Sequence, residues 1–163
     1  MSVLCCGEIK LSELASLLDK FSIQLNLIED SEIIPGSWFG DPEAGIINNN
    51  LYVRNDTPVH SALHESCHYI CMSPDRRKNL HTNAGGDYDE ENAVCYLSIL
   101  LSEYINSFGQ ERMLNDMDEW GYTFRLGSSK AWFEEDAEDA KELLIKYNLI
   151  DLKNNPMWKI RMQ

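Results

Sequence analysis

Apolar and polar positions follow more than one period along this chain, and the changes of period mark its elements. From Leu11 to Phe21 apolar residues recur at helical spacing after Ser12, which predicts an amphipathic helix. Residues 23–29, IQLNLIE, then alternate as a half-buried strand does. Residues 45–54, GIINNNLYVR, place two short β-prone runs about an asparagine-rich turn and predict a hairpin or a strand, turn and strand. A helix follows at once: Thr57 is the expected N-cap, Pro58 suits the first helical position, and Leu63, Cys67, Ile70 and Cys71 form an apolar stripe.

Residues 73–89 are polar and contain glycine, so they read as a loop. Residues 90–105 are apolar round most of the helical circumference and predict a buried helix, with Asp87 available as its N-cap. A short helix over 110–120, an extended piece over 121–127 and one long amphipathic helix over 129–148 complete the expectation. The acidic run in the last reads as a solvated helix face. A small N-terminal sheet followed by mainly helices is an α+β order. At 163 residues, without repeats or a Pro/Gly-rich linker, the chain reads as a single domain over 1–163.

Charge narrows the partners. A net charge of −13 opposes binding to nucleic acid phosphates, which calls for clustered Lys and Arg. No segment resembles a signal peptide or a bilayer span, so no membrane association is expected and the cytoplasm is the expected location. Five cysteines, an odd number without C-x-x-C spacing, indicate buried thiols rather than disulfides or a thiolate zinc site.

The chemistry is concentrated in HSALHESCHYI, residues 60–70. His64 and His68 lie one turn apart on one helix face, so their imidazoles can converge on one ion, while Glu65 stands about 100° away. Catalytic zinc sites use three protein ligands and leave a position for water, so a third ligand is required. Glu90 and Glu91 open the buried second helix. Helical phase puts Glu90 near the middle of its inner face and Glu91 at the edge, which favours Glu90 and keeps Glu91 as the alternative. Glu90 could instead complete a capping box with Asp87. Asp87, or the glutamate not used as a ligand, is a candidate to orient a ligand imidazole. His60 reads as a helix N-terminal residue rather than a fourth ligand.

The pair HESCH and EENAVCYLSILL resembles the gluzincin metallopeptidases, and is particularly similar to the small ImmA/IrrE type of zincin-like proteins. Glu90, Ala93, Tyr96, Leu100 and Leu101 match the second-helix pattern, whereas Asn92 departs from the acidic residue that often precedes the Ala. The likeness covers roughly residues 45–105. It implies a compact zincin-like domain and an intracellular zinc-dependent peptidase acting on a peptide or protein. In such an enzyme zinc activates water, Glu65 is the general base and the metal polarises the scissile carbonyl. His81, Tyr88, Tyr122 and Arg125 are candidates for a further oxyanion donor, and residues 46–53 for an edge strand that pairs with the substrate. The alternatives are a non-hydrolytic zinc-binding regulatory or interaction protein and a metal-free helical protein with a coincidental motif.

Overall fold

The computed structural model describes residues 2–163 and is a mixed α+β structure. After a short 3₁₀ turn, Cys6–Glu8, come α1 (Leu11–Asp19), β1 (Gln24–Leu27), β2 (Gly45–Ile47) and β3 (Asn50–Val53). Helices α2 (Val59–Cys71), α3 (Pro74–Arg77), α4 (Tyr88–Ser102), α5 (Gln110–Trp120), α6 (Ser129–Glu135) and α7 (Glu138–Lys146) follow. Among the described residues, no helix is long and apolar enough to cross a membrane.

The expected hairpin is present: β2 and β3 run antiparallel, and Asn48 takes the left-handed conformation (φ 51°) that asparagine tolerates in a tight turn. The sheet order is β1-β3-β2, with β1 parallel to β3, so β3 is the central strand. This corrects the expectation of a free substrate-binding edge over 46–53. Tyr52 already has neighbours on both sides, and the outer edge of β2 is taken because Ile46 N–H donates to Gly36 O and Ile46 O accepts from Thr82 N–H.

Helix α2 is the axis of the molecule, with every residue from Val59 to Cys71 buried and the expected stripe of Leu63, Cys67, Ile70 and Cys71 fully enclosed. Its N-cap is Pro58 rather than Thr57, whose hydroxyl accepts from Arg54 N–H and closes the preceding turn. At the other end the orphan carbonyls are met by guanidinium groups. Arg77 donates to Tyr69 O and Met72 O at 2.9 and 2.7 Å, and Arg161 donates to Cys71 O at 3.2 Å. The C-terminal residues are thereby tied to the histidine helix.

Helix α4 packs along α2 and starts as expected, with the Asp87 carboxylate accepting from Glu90 N–H at 2.9 Å. Helix α5 occupies 110–120 as predicted and stops at Gly121, whose φ of 103° needs the freedom of glycine. Three expectations are corrected. Residues 73–89 contain α3, started by the Ser73 hydroxyl and Pro74. The extended piece expected over 121–127 is confined to irregular backbone at 122–124 between turns, with Phe124 stacked on Trp132. The helix predicted over 129–148 breaks at Asp136, where the carboxylate leaves the helical course to accept two hydrogen bonds of 2.7 Å from Arg125.

Candidate functional site

The packing of α2 against α4 brings three side chains to one point. The Nε2 atoms of His64 and His68 are 3.1 Å apart, and the carboxylate of Glu91 spans them, with Oε1 2.8 Å from His64 Nε2 and Oε2 3.2 Å from His68 Nε2. Each imidazole nitrogen carries either a lone pair or a proton, so this closeness requires a proton or a cation between the rings. Two imidazoles and a carboxylate at these distances are a donor set that could hold a metal ion, and zinc takes such ligands.

Glu91, the alternative, rather than Glu90 lies against the two imidazoles. Glu90 does lie on the inner face of α4, and its side chain is only 7% exposed, but the partner it needs there is a cation from α3. Arg76 NH1 donates to both Glu90 oxygens at 3.0 and 2.9 Å, and Arg161 NH1 stands 3.8 Å away. A Cβ at Gly86 would collide with this carboxylate, so glycine is needed there. Glu91, at the edge of the face and 46% exposed, is free to reach across to α2. Burial alone would raise its carboxyl, but the hydrogen bonds from His64 and His68 outweigh that and hold it well below the ordinary carboxylate range.

His64 is pulled the opposite way. Burial disfavours its cationic form, but Tyr122, Cys95 and Glu91 together raise its proton affinity well above that of an ordinary histidine. The Nδ1 atoms of His64 and His68 are buried and have no hydrogen-bond partner among the described residues. The expected orienting contact from Asp87 or Glu90 is therefore not made: Asp87 caps α4, and Glu90 faces Arg76. Glu91 orders the two rings from the Nε2 side.

Glu65 is 6% exposed and takes no hydrogen bond among the described residues. Burial raises its carboxyl, against the opposing influence of His64 and His68. It lies where two lobes of a cleft meet. One lobe, about 250 Å³, is walled by Phe39, Glu43, Trp120 and Tyr122, and the other, about 260 Å³, by Trp38, Phe39 and residues 82–86. His64, Glu65 and Glu91 line both.

Of the four oxyanion candidates only Tyr122 is here, with its ring edge-on to His64 at 5.8 Å and its hydroxyl 3.4 Å from His60 Nδ1. His81 is exposed beside Thr82, Tyr88 is 75% exposed, and Arg125 is paired with Asp136. His60 is enclosed by Trp120 and Tyr122, and burial, followed by the charge of His64, lowers it to about 3.

Two neighbours were not singled out from the sequence. Glu43 reaches the site from a distant loop and is held by Trp120, which spacing could not foretell. Cys95 stands four residues after Glu91, a spacing that places both on one face of a helix and was a readable signal. No family model matches this chain, and no curated protein or solved structure is detectably similar to it.

Proposed function

We propose that this chain is a zinc-dependent hydrolase: a small metallopeptidase of the zincin-like, gluzincin type, working in the cytoplasm on a peptide or protein, with Glu65 as general base. The observation that carries this is the convergence of His64, His68 and Glu91 beside the buried carboxyl of Glu65. Five free cysteines agree with a reducing compartment.

In this account His64, His68 and Glu91 hold the ion. Zn²⁺, when bound, supplies Lewis acidity, lowering the pKa of water and polarising a carbonyl. Glu65 accepts the proton of the attacking water and returns it to the departing amine, a task helped by burial, which raises the proton affinity of its carboxyl. The Tyr122 hydroxyl donates to the developing oxyanion. Trp38, Phe39 and Trp120 wall the cleft with apolar surface. Since β3 is central, the substrate is held by these walls rather than by strand pairing, and Glu43 and Glu91 disfavour acidic peptides.

The alternative of a zinc site without hydrolysis gives the Glu65 carboxyl, which lines the cleft beside the two histidines, no task. The test is Glu65→Gln against a peptide library. The variant keeps its zinc and loses cleavage by about a hundredfold or more; undiminished cleavage would overturn the assignment.

A further inference from the structure

His64 belongs to two groups of donors. One is made with Glu65 and His68 on its own helix, and the other with Glu91 and Cys95 across on α4. In the second group the Cys95 Sγ, a Glu91 carboxylate oxygen and a His64 ring nitrogen all lie within 4.8 Å of one another. Cys95 is 5% exposed and follows Glu91 by one helical turn, so the packing that delivers the carboxylate to His64 delivers the thiol as well.

We propose that Cys95 is a further protein donor to the metal, adding its sulfur to the site on the side of His64 and Glu91. The inference rests on the zinc reading above. Three considerations support it. Zinc is borderline soft and takes thiolate sulfur readily, alongside imidazole and carboxylate. Among the described residues Cys95 is the only thiol grouped with His64 and Glu91. Its neighbour Cys67, although fully buried close by, is not part of that group, so proximity to the core alone does not put a cysteine there. A cysteine serving only as a small core hydrophobe would have no effect on the metal.

The full chain loaded with Co²⁺ in place of zinc provides the test, because a cobalt–thiolate bond has its own optical signature. The expected wild-type spectrum combines visible d–d bands with a near-ultraviolet thiolate-to-cobalt charge-transfer band. Cys95→Ala and Cys95→Ser keep the visible bands and lose the charge-transfer band, while Cys67→Ala keeps both. Visible bands without charge transfer in the wild type, or charge transfer that survives in Cys95→Ser, would overturn the role of Cys95 and leave the zinc reading standing. A wild-type protein that shows no cobalt bands at all would overturn both. Should the alanine variant fail to fold, the wild-type spectrum and the serine variant still decide.

Discussion

Glu91 on α4 and His64 on α2 meet across the helix packing, with carboxylate Oε1 2.8 Å from imidazole Nε2. Against the opposing effect of burial, the two imidazoles hold the Glu91 carboxyl well below its usual range, while Tyr122, Cys95 and Glu91 together raise the His64 imidazole well above its own. A divalent cation bound at this point would take over the charge balance that a proton otherwise supplies.

Glu90, one residue earlier, has a different task. It neutralises Arg76 with Arg161 close by, and Arg76 also holds Ala84 O, which anchors the segment leading into α4. Glu90→Gln is expected to cost about 2 kcal/mol, less than a fully buried pair because Arg76 is partly exposed. For a chain of this size that lowers the melting temperature by roughly 4–8 °C. Zinc content is unchanged. Thermal unfolding with metal analysis checks both parts, and an unaltered melting point with lost zinc would contradict the account.

His60 makes the fold sensitive to acid. Its folded-state value of about 3 lies below that of an exposed histidine, so the unfolded chain binds this proton first as the pH falls. Its contribution to stability is fully present above about pH 6.5 and is lost as the pH drops towards 3. By pH 5 the loss is on the order of 2 kcal/mol. In metal-free protein, His60→Phe is expected to flatten the decline in stability between pH 7 and pH 5 by about that amount. Parallel pH profiles for the two proteins would refute the effect.

Local patterns revealed the helices that carry the site, and long-range partners decided its details. The periods around Leu63, Cys67 and Ile70, and around Ala93, Val94 and Leu97, foretold α2 and α4, and H-E-x-x-H spacing brought His64 and His68 to one face. Helical phase identified Glu90 as inward-facing but not its partner, because Arg76 lies in a segment that reads as loop. The pairing of β1 with β3 and the Arg125–Asp136 contact that ends α6 are likewise non-local, which is why the strand edge and the long C-terminal helix were misread. Cys95 was legible by its spacing from Glu91, but without C-x-x-C spacing it reads as an ordinary buried thiol.

Tyr122 is expected to act on the rate rather than on binding. Its hydroxyl is placed between His60 and the cleft, so Tyr122→Phe keeps the aromatic wall and removes one hydrogen-bond donor. The expected result is a fall in kcat of about a hundredfold, with KM and zinc content little changed. A kcat equal to that of the wild type would remove Tyr122 from the reaction.

Zinc stoichiometry by elemental analysis decides whether His64, His68 and Glu91 form a metal site. About one zinc per chain is expected in the wild type, retained in Glu90→Ala and lost in His64→Ala and Glu91→Ala. A wild-type protein with neither bound nor recoverable zinc, or one that keeps its zinc in Glu91→Ala and loses it in Glu90→Ala, would contradict the account.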